Sequence, residues 1–338
     1  MLNSRQSTPG SILIVVLWSL FFLTMLGVAI GAYVRPQIDL ARRLIRRAEG
    51  HYLAFAGVQR AMLEVYKDSL GSYDAANDSW GNNNPAFANV LLGKGSFSLV
   101  RGQDGSFPSS AQDTPGYGLS DEEGKININK ASLATLKGLF EIAAGLFGQD
   151  AEDVAAAIVD WRDEDSEPQE NGAEDGYYST LSPAYPCKNA DFQAREELLL
   201  VKGINREIFD KIKEVITLYG EGAVNINSAD KVVLRSLGLD DALVEKVIAF
   251  RKGPDGSEGT DDDNVFTAAG EIVALLDDYA GLSSQESDAL SAVISSGPLS
   301  VVSDNFRGWC VAKLAGKTAG RIEFVVNRAG DIMFWREE

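Results

Sequence analysis

Between positions 160 and 178 the chain sets carboxylates close together: Asp160-Trp161-Arg162-Asp163-Glu164-Asp165-Ser166-Glu167, then Gly172-Ala173-Glu174-Asp175-Gly176-Tyr177-Tyr178. Such groups repel one another unless water solvates them or a cation gathers them. Several oxygen ligands from one flexible loop suit Ca²⁺ at six to eight coordination, whereas Mg²⁺ prefers fewer carboxylates and a stricter octahedron. The spacing is not that of an EF-hand, because the twelve-residue loop with its closing bidentate Glu is absent. A solvated acidic loop and a calcium site are the two readings. In the second, Asp163, Asp165, Glu174 and Asp175 are the candidate ligands, with Asp160 and Glu167 as weaker ones. A second acidic loop, Gly253 to Asn264, offers Asp261, Asp262 and Asp263 as a weaker site. Two of these carboxylates could also form an acid/base pair, but no nucleophile, histidine pair or phosphate-cradling loop accompanies them, so enzymatic catalysis is not expected.

The rest of the composition narrows the chemistry further. The 338 residues carry a net charge of −18, which disfavours a nucleic-acid or anionic partner for the soluble part. A single histidine, His51, and two cysteines, Cys187 and Cys310, leave little for a zinc or iron site. The cysteines lie 123 positions apart and could be joined or be two isolated thiols.

The elements that would position the acidic loops come from a duplication. Ile126-Asn127-Ile128-Asn129-Lys130-Ala131 recurs 98 positions later as Val224-Asn225-Ile226-Asn227-Ser228-Ala229, and Ile158-x-x-Trp161-Arg162 recurs 89 positions later as Val247-x-x-Phe250-Arg251. Asn129 and Asn227 stand where they could cap the following helices. The units resemble helix-hairpin-helix modules. Their hairpins, LKGLF, VKGIN, SLGLD and YAGLS, lack the second glycine that binds phosphate and sit in acidic surroundings, so they read as packing or protein-interaction elements.

Outside this helical middle the two ends match. Short alternating runs around Phe97, Leu99, Tyr117 and Leu119, then Val301 to Ser303, Trp309 to Leu314, Arg321 to Asn327 and Ile332 to Trp335, predict strands, with hairpin turns at Gly316, Gly320 and Gly330. Before them, Ser11 to Val34 has no charged residue and at 1.5 Å per residue spans about 36 Å, enough to cross a bilayer core of about 30 Å. Beyond Pro36 a stripe of Leu40, Leu44, Tyr52, Phe55, Met62, Val65 and Tyr66 predicts an amphipathic continuation to about Lys67. The polar leader ends in Gly10, directly before the apolar run. It is either a signal anchor or a leader that resembles those of type IV prepilins, cut after the glycine. Arg35, Arg42, Arg43, Arg46 and Arg47 follow the run and by the positive-inside rule favour a cytoplasmic domain, against the prepilin reading.

Taken with the leader, the segments DEEGKININKAS (121–132), DWRDEDSEP (160–168), GAEDGYY (172–178) and EELLLVKGI (196–204) resemble the K-type minor pseudopilins of the bacterial type II secretion system. The resemblance covers nearly the whole chain. It implies an α+β fold: a long N-terminal membrane-spanning helix on a pilin-like α/β roll, interrupted by a large all-α domain of two helix-hairpin-helix-like repeats. The expected parts are a leader (1–10), a transmembrane and stalk helix (11–70), the first part of the roll (71–126), the insertion (127–298, repeats 127–220 and 223–297) and C-terminal strands (299–338). It further implies cleavage between Gly10 and Ser11 by the prepilin peptidase, a single pass through the inner membrane with the large domain in the periplasm, and bound calcium. The I-type and J-type minor pseudopilins are the implied partners, through the stalk helix, with no nucleic acid. The implied function is capping the pseudopilus tip and initiating its assembly for export of folded periplasmic proteins. Val15, at the fifth mature position, departs from the Glu of major pilins as the K-type family does. The alternative from a different class is a membrane-anchored DNA-uptake protein.

Overall fold

A computed structural model describes residues 10–68, 71–102 and 116–338; the leader up to residue 9 and the side chains of Gly10 and Ser11 lie outside the described residues. Helix α1 runs from Gly10 to Asp68, 59 residues with Pro36 inside, about 88 Å long. A short helix α2 (Asn84–Phe87) and strands β1 (Val90–Leu92), β2 (Gly95–Val100) and β3 (Ser120–Asp121) follow. The helical middle begins with β4 (Ile126–Asn127), α3 (Leu133–Leu139), a π turn over Phe140–Ala144, α4 (Gln149–Arg162), α5 (Asp175–Tyr178), a 3₁₀ turn over Arg195–Leu200, α6 (Arg206–Ile212) and β5 (Ile216–Thr217). Its second half holds β6 (Val224–Asn225), α7 (Lys231–Ser236), α8 (Asp241–Arg251), α9 (Ile272–Ala280), α10 (Ser284–Ser295) and β7 (Leu299–Ser300). The chain closes with β8 (Asn305–Leu314), β9 (Lys317–Asn327) and β10 (Ile332–Glu337).

One antiparallel sheet takes strands from both sides of the middle, in the order β1-β2-β8-β9-β10, with β3 also on β8. Gly95 faces Leu314 and Val100 faces Trp309, while Ser120 and Asp121 face Arg307 and Phe306, so β8 is shared by the segments that precede the insertion. The roll is therefore a single unit that the helical middle interrupts. Its core joins Phe97, Leu99, Phe306, Ile322 and Phe324 to one face of α1.

That face is not the stripe of large residues. The buried positions are Leu53, Ala54, Val58, Ala61 and Val65, whereas Leu40, Leu44, Tyr52, Phe55 and Tyr66 are exposed. The helical period holds, but of the expected stripe only Val65 belongs to the fully buried face. The cause is close approach: a Cβ on Gly50 would lie 2.2 Å from Ala319 O, and one on Gly57 2.3 Å from Cys310 Sγ. Small residues let the sheet press against the helix. Gly320 is part of this contact, inside β9 and 3.0 Å from Gly50 by the same construction, and not in a turn; the hairpins turn at Gly316 (φ 75°) and Gly330 (φ 91°).

The middle has a core of its own, including Leu136, Ile158, Trp161, Leu198, Ile212, Leu234, Val247 and Leu276. Each repeat is closed by the same device, a two-residue parallel bridge, Ile126–Ile216 in the first and Val224–Leu299 in the second. The residues near 300 thus close the second repeat; the strand expected at Val301–Ser303 is β7, two residues earlier and outside the main sheet. Further parts repeat atom for atom. Asn129 Oδ1 accepts from Phe192 N and its Nδ2 donates to Phe192 O; Asn227 does the same with Phe266. Arg162 donates to the carbonyls of Ile128 and Ala131, as Arg251 does to those of Ile226 and Ala229. The asparagines are therefore not helix caps. Ser132 and Asp230, three residues further on, accept from Thr135 N and Val233 N and fill that role.

Insertion and roll meet in a buried polar joint. Asp121 Oδ2 accepts from Asn225, Ser228 and Ser303; Glu123 accepts from the backbone and side chain of Asn305; and Arg307 lies between Glu122 (2.7 Å) and Glu323 (2.6 Å). Asp68, Asp74 and Asp78 also approach one another, and there Arg328 pairs with Asp74 and Asp68. Cys187 and Cys310 are free thiols in different cores.

Candidate metal centre

Helix α4 delivers the first carboxylate. Its apolar face, Ala151, Val154, Ala155, Ile158 and Trp161, is buried in the insertion core, and Arg162 pins its last turn to the 128–131 segment. The helix stops at Asp163, whose extended backbone (φ −76°, ψ 165°) turns the chain into the acidic loop.

Asp160 shapes that loop. Its Oδ1 accepts from Gln169 N (3.0 Å) and its Oδ2 from Ala173 N (2.6 Å), folding residues 163–173 back over the helix end. Gly172 is required beneath it, since a Cβ there would lie 1.9 Å from Asp160 Oδ2. Asn189 Nδ2 holds the carbonyl of Asp165, and Lys202 Nζ holds those of Asn171 and Gly172. Helix α5 then begins after Glu174 and is fixed by Tyr178, which packs edge-on against Trp161 with centroids 5.0 Å apart.

The result is convergence of three carboxylates. Asp163, Asp165 and Glu174 each present an oxygen within 4.8 Å of the others. Glu174 is only 5 % exposed, and both its oxygens, like Asp163 Oδ1, are buried with no hydrogen-bond partner. An unpaired buried carboxylate is costly and shifts its pKa to escape the charge. Burial first, and the neighbouring carboxylates after it, push Asp163 and Glu174 above the usual carboxylate range. A divalent cation would remove both penalties together, and oxygen donors from an irregular loop match calcium best. The residues present fit the ion.

The remaining candidates are placed elsewhere. Asp175 Oδ1 accepts from Cys187 N (2.7 Å), Asp160 is engaged by loop amides, and Glu167 is exposed. In the second loop Asp262 is bonded to Asp255 N and Thr260, Asp263 to Gly259 N and Thr260, and Asp261 is exposed. Among the described residues Asp261, Asp262 and Asp263 form no converging group. Instead Arg251 pairs with Glu258, and Gly259 O accepts from Asn82 of the roll, so this loop braces the two parts of the protein. Asn189 and Lys202 were not legible as site residues, because they act through loop carbonyls and belong to no acidic motif.

Residues 117–221, which span β3 to the end of the first repeat and contain the three carboxylates, match the family described as "Type II secretion system (T2SS), protein K". The chain is 26 % identical over 271 residues to the type II secretion system protein K of Pseudomonas aeruginosa, covering 76 % of each. It is 34 % identical over 77 residues to the protein K of Pectobacterium carotovorum, 23 % of this chain and 24 % of that one. Its fold is shared with a chain of the crystal structure of the GspK-GspI-GspJ complex from the type 2 secretion system of enterotoxigenic Escherichia coli, with a TM-score of 0.60 and 17 % identity over 90 % of this chain and 99 % of the other. A roll built on one long apolar helix and interrupted by a duplicated helical unit is thus similar in fold to a chain of that complex, and the chain is similar in sequence to the type II secretion system protein K, most specifically over residues 117–221.

Proposed function

We propose that the protein caps the tip of the type II secretion pseudopilus and starts its assembly, bound through α1 to the I-type and J-type minor pseudopilins. The observation that carries this reading is the division of α1 into two faces. Gly50, Ala54, Gly57 and Ala61 press on the sheet, while Leu44, Tyr52, Phe55, Leu63 and Tyr66 are exposed above the membrane-spanning part. Exposed large apolar residues along one helix suit packing against further helices of the same kind. In this reading prepilin peptidase cuts after Gly10, the uncharged run stays in the inner membrane, and the folded part stands in the periplasm.

Position at the tip follows from bulk. The 170 residues from 128 to 297 form a body of roughly 40 Å on a stalk about 10 Å wide, and identical subunits could not stack beneath it. Calcium bound by Asp163, Asp165 and Glu174 holds the acidic loop closed, supplying charge neutralisation and no chemistry. The test is co-purification: Tyr52→Glu with Tyr66→Glu should leave the folded domain intact and release the I-type and J-type partners. Retention of both partners would contradict the stalk assignment. The DNA-uptake reading finds no support among the relatives.

A further inference from the structure

The most basic stretch of this acidic chain lies at one place on α1. Residues 35–47 hold five arginines, Arg35, Arg42, Arg43, Arg46 and Arg47, against one acid, Asp39, while the chain as a whole carries −18. All five are exposed. Arg42 has only a loose pair with Asp39 at 3.9 Å, and among the described residues Arg35, Arg43, Arg46 and Arg47 have no ion-pair partner. At 100° per residue Arg35, Arg42 and Arg46 fall within about 40° of one another, with Arg43 on their flank, Leu40 and Leu44 on the far side, and Arg47 at the border between the two, about 20° from Leu40. The basic face is therefore open even when the apolar face is packed.

Its position names the occupant. Arg35 follows directly on Val34, the last residue of the uncharged run, so the stretch starts where the headgroups of the bilayer lie. Arg47 is about 18 Å further on, beyond the reach of a headgroup layer of several ångströms and a Debye length of about 8 Å if the helix stood upright. Pro36 lies between the uncharged run and the rest of the basic face, inside the continuous helix, and a proline removes a helical hydrogen bond, which lowers the cost of bending the axis there. We infer that α1 beyond Pro36 leans on the membrane and that its arginine face binds anionic phospholipid headgroups, holding the subunit in a defined pose before partners engage its apolar face. Charge complementarity and the adjacent span favour lipid over an acidic protein as the occupant.

The test uses the full-length protein in phosphatidylcholine vesicles with spin-labelled phosphatidylglycerol or phosphatidylcholine as probe. The expected result is a preference of about twofold or more for the anionic probe in the motionally restricted shell, lost at high salt and in the variant R35Q/R42Q/R43Q/R46Q/R47Q. The salt arm needs no mutation and so does not depend on the variant's folding. Pro36→Ala should lower the preference. Equal association of the two probes with the unmutated protein would overturn the proposal, as would a preference that survives the five substitutions or one unchanged by Pro36→Ala. Equal association combined with loss of the minor pseudopilins from the five-fold variant would assign the arginines to a protein partner instead.

Discussion

Asn225 Nδ2 donates to Asp121 Oδ2 at 3.0 Å across 104 positions of sequence, and the same amide group reaches Asp74 O and Ser303 Oγ. Its counterpart in the first repeat, Asn127, donates instead to the carbonyls of Tyr219 and Gly220. One asparagine thus closes its own repeat, and the duplicate ties the insertion to the roll. Asn225→Ala should cost about 1–3 kcal/mol, the loss expected when buried polar atoms are unpaired. It should also separate unfolding of the insertion from that of the roll in a calorimetric scan, whereas Asn127→Ala should leave them joined.

The same joint sets a pH dependence. Burial, with Asp121 and Asp68 adding to it and Ser303 N–H and Arg328 opposing, raises Asp74 to about 7; burial and Asp121, opposed by Asn305, raise Glu123 to about 8. Folded Asp74 and Glu123 hold protons more tightly than the unfolded chain. Their stabilisation is full below about pH 4 and is lost as pH rises through about 7 and about 8. Glu122 works the other way: burial would raise it, but Arg307 and Lys125 hold it below the usual range, so its contribution fails only in acid. Melting temperature at fixed calcium should therefore fall between pH 5 and pH 8, and Glu123→Gln should flatten the fall.

Calcium should raise the melting temperature of the soluble part in proportion to the logarithm of its concentration above the dissociation constant. About 2.7 kcal/mol is gained at a hundredfold excess. Glu174→Gln should abolish that response while stabilising the calcium-free protein, because it removes a buried, unpaired charge. Replacing Asp261, Asp262 and Asp263 by Asn should leave the calcium response in place. A thermal melt with and without chelator reads all three.

Gly57→Val should destabilise the roll by about 1–3 kcal/mol through overpacking, since its side chain would meet Cys310 Sγ and Phe97. Tyr52→Glu, on the exposed face, should cost the isolated protein less than about 0.5 kcal/mol. Urea melts of the two variants compare the faces directly.

These contrasts mark what the sequence could carry. The uncharged run, the interrupted roll and the duplication were legible because each is a pattern of residue type along the chain. The sheet-facing side of α1 was not: hydrophobic periodicity weights large residues, and this contact is made by glycine and alanine so that backbones can meet. The asparagines of the NIN segments were legible as a repeat but not as partners of Phe192 and Phe266, 63 and 39 positions away. Carboxylate density pointed to the loop that gathers Asp163, Asp165 and Glu174. It could not tell which carboxylates would be drawn to amides, as Asp160 and Asp175 are, because that depends on how the loop turns.

The steric and electrostatic parts of the tip assignment separate by mutation. Removing residues 128–297 should relieve the block on stacking, and Val15→Glu should favour entry into the shaft by supplying a carboxylate to a neighbouring amino terminus in the membrane. Cross-linking of the variant into shaft-sized ladders, with the unmodified chain absent from them, is the expected outcome.

Gold labelling of the insertion on assembled pseudopili tests the central claim most directly. The account predicts label at one end of each filament, in single copy, and none along the shaft. Label distributed along the filament would contradict it.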